Sequence, residues 1–241
     1  MAPELGENDL ELFRRWHRLS RPYIAWQFEQ FAKFVGERVA DVGCGLGNFV
    51  PHLRDRELYL GLEPDNRLAA EARGQFLDWG NVLIIGGREA DVTSPECVAL
   101  MRSHRVDTVL AVNVLEHIAD DRHALQNMVA TLDPGKHLCL LVPALPWAMG
   151  SLDRIALHHR RYSRAELLRL AVGLPAEVLC CHYLNLVGGL GWWLRSRVLR
   201  SRKYGGINFI LMNALLPGVR LVERVVKPPL GLSLVMVLRK I

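Results

Sequence analysis

Short saturated apolar runs alternate with stretches of helical spacing along most of the chain. Val39-Ala40-Asp41-Val42 runs into the glycine turn Gly43-Cys44-Gly45-Leu46-Gly47, and an apolar run bounded by turn residues reads as a strand covered on both faces. A helix is predicted to begin near Asn48. Residues 57–62, 81–85, 106–112 and 136–142 supply four more strand runs. Between the last two, Leu125, Met128, Val129 and Leu132 recur at helical spacing, and Asp133-Pro134-Gly135 ends the helix. Five such alternations predict an α/β sheet with parallel strands, in which ligands sit beyond the carboxyl ends of the strands.

The flanks carry different patterns. Residues 10–34 hold Phe13, Trp16, Tyr23, Trp26, Phe28, Phe31 and Phe34 at mixed helical spacings. Tyr23 and Trp16 are candidates for a mobile part of that segment, while Trp26 and Phe34 suit a helix packed on the sheet edge. Ser163 and Glu166 form a capping box for a helix that Gly173 ends. Residues 176–185 and 233–239 read as strands six and seven. The 45 or so residues between them are far more than a hairpin turn requires. They hold the apolar and basic run from Leu184 to Lys203, then an apolar helical stretch at 207–216 and a mixed one at 219–226.

The glycine turn carries the first chemical signal, because glycines accept positive φ and let main-chain N–H groups approach a ligand. A dinucleotide fingerprint would need glycine at position 48, where this chain has Asn, and no Gly-Lys-Ser/Thr follows to cradle a phosphate. Glu63 stands at the end of the second strand, where a carboxylate can accept from both hydroxyls of a ribose. It also reads as an exposed acid before Pro64. Asp91 reads equally as a turn residue.

Asp41 followed by Gly43-x-Gly45-x-Gly47, Glu63, Ala90-Asp91-Val92-Thr93, and Asn113-Val114-Leu115-Glu116-His117 occur in that order. Together they resemble the motifs of class I S-adenosylmethionine (SAM) dependent methyltransferases, over residues 36–185 plus the closing strand. The resemblance implies a Rossmann-like seven-stranded sheet, mostly parallel with an antiparallel last strand, helices on both faces, and a helical insert between strands six and seven. It implies SAM as methyl donor and S-adenosylhomocysteine as product. The cofactor residues would be Asp41, Gly43, Cys44, Gly45, Glu63, Pro64, Asp91, Val92, Asn113 and Val114. Glu63 would take the ribose, Asp91 and Val92 the adenine, Asn113 the methionine amino group, and Asp41 would order the loop. Glu116 and His117 would support the loop more than catalyse. The domain boundaries read as a helical cap at 1–35, the SAM-binding core at 36–185, an insert at 186–229 and a closing strand at 230–241.

Residues 143–162 occupy the place of a substrate loop. Gly150-Ser151-Leu152-Asp153 and His158-x-Arg160-Arg161-Tyr162 resemble a bacterial methyltransferase subgroup, with His159 and Met149 departing from its pattern. His158 and Tyr162 are the candidate catalytic residues, since imidazole near neutral pH can remove the acceptor's proton. The competing reading has His158, Arg161 and Tyr162 brace the loop against Asp153 or bind an anionic part of the substrate. Methyl transfer can also proceed by in-line placement alone.

Composition narrows the setting. Half of the residues are hydrophobic, which excludes disorder. The five cysteines lack metal or disulfide spacing, and a reducing cytoplasm is the expected compartment. The start of the chain lacks the order of a signal peptide, and no uncharged run reaches bilayer length. No metal site is expected, because the sulfonium already carries an activated methyl group and no ligand spacing appears. Ten of the Lys and Arg residues and one acid lie in 195–241, within a chain of net charge +5. That basic, apolar insert suits a lid over a hydrophobic substrate, a homodimer surface, or contact with the inner membrane face. Nucleic acid is disfavoured because basic and apolar residues interleave. The expected acceptor is a small or lipid-like molecule, methylated on O, N or C in bacterial secondary metabolism or envelope biosynthesis. The alternatives are a protein or RNA methyltransferase docking through the insert, and a catalytically silent SAM-binding regulatory subunit.

Overall fold

A computed structural model describes residues 7–201 and 206–241. Its centre is a seven-stranded sheet of β1 (Arg38–Val42), β2 (Leu58–Glu63), β3 (Val82–Gly86), β4 (Thr108–Val112), β5 (His137–Pro143), β6 (Ala176–Leu184) and β7 (Ser233–Lys240). The spatial order is β3-β2-β1-β4-β5-β7-β6; the first five strands pair parallel, and β7 runs antiparallel to both neighbours. The order reverses between β1 and β4, which opens a crevice beyond their carboxyl ends.

Alternate side chains of each strand serve opposite faces. Ala40, Leu60, Val109, Leu138 and Met236 join one core layer, and Val39, Tyr59, Leu110, Cys139 and Val235 join the other. The helices α1 (Glu7–Glu29), α2 (Asn66–Gln75), α3 (Pro95–Ser103), α4 (Asp121–Ala130), α5 (Ser151–Ile155), α6 (Arg164–Ala171), α7 (Leu186–Trp193) and α8 (Gly206–Val225) surround it. Leu125, Met128, Val129 and Leu132 are buried in the first layer, as their spacing predicts, and Trp26 is buried in the second. Ser163 and Glu166 form the predicted capping box of α6.

Two expectations need correction. No α-helix follows the glycine turn; the chain makes turns and one 3-10 segment, Val50–His52. Pro51 lies in that segment, and β2 begins at Leu58, so there is little length for a regular helix. The apolar and mixed stretches of the insert form one helix, α8, which continues through Pro217.

The insert is fastened at both ends. Glu223 on α8 accepts from the Asn185 and Leu186 N–H groups, each at 2.9 Å, and so caps the start of α7. Against α1, Asn213 donates to the Leu19 carbonyl at 2.7 Å and Arg220 pairs with Glu29. The side chains of Phe13 and Trp16, and residues Arg202 and Lys203, lie outside the described residues. No described helix is long and apolar enough to cross a membrane.

Candidate functional site

The carboxyl ends of β1, β2 and β4 open into one cavity of about 1710 Å³, above the roughly 300–1,000 Å³ of common small-molecule sites. The glycine turn forms its floor. The Gly43 and Cys44 N–H groups both donate to the Leu62 carbonyl, at 2.7 and 3.2 Å, and so continue the β1–β2 pairing into the turn. The Gly45 N–H donates to Glu63 Oε2 at 2.9 Å, and the Asp65 N–H donates to Oε1 at 3.0 Å. Burial raises the Glu63 pKa and these two bonds oppose the rise. Each oxygen keeps a second acceptor site.

The three glycines differ in their surroundings. All have positive φ, but a Cβ on Gly43 would lie 2.7 Å from Val114 Cγ2 and one on Gly47 would lie 2.5 Å from Phe76 Cε2. At Gly45 the nearest atom would be Asn48 Nδ2, at 3.6 Å. Asp41 and Cys44 also line the cavity. The Cys44 side chain is buried, so the turn serves the cavity mainly through its backbone. Asp41 accepts from the Tyr59 hydroxyl at 2.5 Å; burial lifts its pKa to about 7, with the Tyr59 bond opposing and the Glu63 charge adding to the rise.

Pro64, Asp91, Val92, Asn113 and Val114 complete that side of the cavity. Asp91 Oδ1 accepts from the Thr93 N–H and hydroxyl at 2.9 and 2.7 Å, an Asx turn that leaves Oδ2 without a bond among the described residues. Asn113 has φ 56°, and its N–H donates to Leu141 O at 2.8 Å, which turns the chain sharply off β4.

His17 and Tyr23 of α1, Leu152 of α5, Trp192 of α7 and Met212 of α8 face the same cavity. His17 Nδ1 meets Asn48 Oδ1 at 2.7 Å and ties α1 to the glycine turn. Tyr23 bonds Ser233 at 3.3 Å. Nothing in the spacing of a lone histidine on an aromatic-rich helix singles out His17. Trp192 and Met212 belong to the insert that reads as a candidate lid, but nothing in their spacing singles them out within it.

Asp153, fully buried, is the hub of the loop. It accepts from Arg161 Nε at 2.6 Å, His158 Nδ1 at 3.0 Å, the Gly150 N–H at 2.9 Å and Trp192 Nε1 at 3.2 Å. Burial alone would raise its pKa, but the His158 and Arg161 interactions prevail and hold it at about 2. Arg161 also lies 4.7 Å over the Trp192 ring. His158 therefore lines the cavity with its Nδ1 committed to Asp153, which matches the bracing reading for His158 and Arg161. Tyr162 does not reach the cavity. It is 4% exposed and its hydroxyl donates to Asp121 Oδ2 at 2.8 Å, so the catalytic expectation for Tyr162 gives way to a structural bond between the strand-five loop and α4.

A further cluster lies beside His158. Glu116 and His117, from the 3-10 segment after β4, bring ligand-type atoms within 4.8 Å of one another and of His158. The His117 and His158 ring centroids are 4.9 Å apart. Glu116 is fully buried and neither carboxylate oxygen has a hydrogen-bond partner among the described residues. His117 opens to the cavity, yet burial of its inner part and then the nearby His158 and His159 lower its pKa to about 4. The long sequence interval between His117 and His158 concealed this grouping.

The methyltransferase-domain family model matches residues 12–197. The ubiquinone biosynthesis O-methyltransferase of Vibrio cholerae serotype O1 is 26% identical over 127 residues, covering 52% of this chain and 50% of its own. The chain thus spans about half the length of the curated relatives it matches. An S-adenosylmethionine-dependent methyltransferase from Mesorhizobium loti superimposes with TM-score 0.60 at 12% identity, over 92% of this chain and 98% of that one. Magnesium protoporphyrin IX methyltransferase from Synechocystis, solved with bound SAH, gives TM-score 0.55 at 13% identity, over 100% and 90%. At these identities the likeness to solved structures is one of fold.

Proposed function

The chain belongs to the methyltransferase-domain family and is a SAM-dependent enzyme, and from that premise we propose that it methylates a small, largely apolar acceptor on a hydroxyl oxygen. The supporting observation is the cavity, which joins a polar floor at the strand ends to a wall of Tyr23, Leu152, Trp192 and Met212. It has room for an acceptor beside the cofactor. The V. cholerae relative, named as an O-methyltransferase of ubiquinone biosynthesis, supports oxygen as the methylated atom.

The residues fit the donor. Gly45 lines the cavity without a side chain, and Glu63 keeps one acceptor site on each oxygen for two ribose hydroxyls. Asp91 Oδ2 and the Val92 N–H suit the adenine edge, and Asn113 suits the methionine amino group. When bound, SAM supplies a methyl group already activated on sulfur. The chain's own work is to place the acceptor oxygen in line with that methyl group and exclude water. The acceptor lies against His158, whose Nε2 lone pair is left facing away from Asp153 once Nδ1–H donates to that carboxylate.

Titration calorimetry of SAM against the wild type and Glu63→Ala tests the cofactor assignment. The variant should bind more weakly by about 1.5–3 kcal/mol, as for a lost bond to a charged group. Unchanged affinity in a folded variant would remove Glu63 from the ribose site. Labelled-methyl transfer should appear with catechol-type hydroxyl acceptors and be absent with aliphatic amines of the same size.

A further inference from the structure

A base acting alone would account for His158 but not for Glu116. A buried carboxylate with no hydrogen-bond partner on either oxygen among the described residues is a costly arrangement, and this one faces two imidazoles in the same cavity. Arg161 acts on it by charge, while its Nε donates to Asp153 and its Nη1 to the Ala144 carbonyl.

We propose that Glu116, His117 and His158 form a binding site for one divalent first-row transition cation, Zn²⁺ foremost, with an open coordination position facing the acceptor side of the cavity. Three observations carry it. The donor set of two imidazoles and one carboxylate is that of Zn²⁺ sites that keep a position for water or substrate, whereas Mg²⁺ and Ca²⁺ favour oxygen donors. The ligand atoms already lie within 4.8 Å of one another. Metal–ligand lengths of about 2.0–2.2 Å then require side-chain adjustments of under ~1 Å. Finally, His158 bonds a buried carboxylate through Nδ1 at 3.0 Å, the carboxylate–histidine–metal arrangement that orients a ligand and raises its basicity. The Leu157 backbone hydrogen-bonds the His117 ring.

The inference rests on the hydroxyl-acceptor reading above and deepens it. An acceptor hydroxyl on the open position becomes more acidic and releases its proton to solvent. The oxygen lone pair then forms the O–CH₃ bond while the S–CH₃ bond breaks, and its electron pair stays on sulfur, converting sulfonium to thioether. His158 acts in this scheme as a ligand.

The 241-residue chain, stripped with chelator, is titrated with Zn²⁺ by calorimetry and with Co²⁺ by visible absorption, and SAM binding is measured in the same samples. One Zn²⁺ should bind per chain, and Co²⁺ should give the absorption of a low-coordinate nitrogen and oxygen site. Glu116→Gln and His117→Asn should each weaken Zn²⁺ at least ~100-fold, the upper end of the range for loss of a supporting partner, while SAM affinity changes less than about twofold. Wild-type protein that binds SAM but takes up no stoichiometric Zn²⁺ overturns the cation site and leaves the methyltransferase reading intact. Uptake equally tight in both variants also overturns it and places the metal elsewhere, the cysteines included. Preference for Mg²⁺ over Zn²⁺ overturns the assigned donor chemistry.

Discussion

Gly45 and Gly47 share a left-handed backbone, with φ of 57° and 79°, but a methyl group added to each would meet different surroundings. On Gly47 it strikes Phe76, so Gly47→Ala should destabilise the fold by about 2–4 kcal/mol, combining backbone strain with overpacking. On Gly45, which lines the cavity, it meets only Asn48 Nδ2 at an ordinary contact distance of 3.6 Å, so Gly45→Ala should lose only the roughly 1–2 kcal/mol of strain while SAM affinity falls at least ~10-fold. Urea unfolding and calorimetry of both variants separate the roles; the reverse pattern would refute the assignment. Asp41 gives a pH signature. Its pKa rises from an ordinary 3.8 to about 7 in the fold, chiefly by burial, so the folded state keeps a proton that the unfolded chain releases. That contribution to stability is complete below about pH 4 and is lost as pH rises to about 7. Asp41→Asn should flatten the stability profile of the ligand-free protein across this window, and an unaltered slope would assign it to other groups. Glu63 and Gly45 were legible in the sequence because strand ends and glycine turns have local signatures. The partners of Tyr162 and the grouping of Glu116 with His158 were not, since they depend on where distant segments land.

Among the elements, α5 and α7 act as one piece. Asp153 joins the loop's His158 and Arg161 to Trp192, and the single Ser151 hydroxyl proton is shared between the Ser201 and Ser196 carbonyls, with Oγ 2.6 and 3.1 Å from them. A side chain at Gly150 would collide with Ser196, 2.4 Å away. Asp153→Asn keeps the shape but leaves the 4%-exposed Arg161 without its carboxylate, and breaking a buried pair this way costs about 3–5 kcal/mol. Urea denaturation should show that loss, and a change below about 0.5 kcal/mol would mean that the hub adds little. The sequence predicted strands and the capped α6 well because each follows a short-range rule of alternation or capping. It failed after Gly47, where a helical pattern met Pro51 and an early β2, and in the insert, where the contacts that join α7 to the loop span some 40 residues.

At the scale of the molecule, the antiparallel end of the sheet departs from the order of the chain. β7 is seventh in sequence but lies inside the sheet, hydrogen-bonded to β5 on one side and β6 on the other. Its residues Leu234 to Leu238 are fully buried. A ribosome delivers β5 and β6 well before residues 233–240, so the nascent chain carries the apolar flank of β5 and the whole of β6 unpaired while α7 and α8 are still being made. Unpaired strand edges of this kind recruit other chains. Synthesis speed through the insert, and chaperone cover during that interval, therefore bear directly on how much of this protein a cell recovers in folded form.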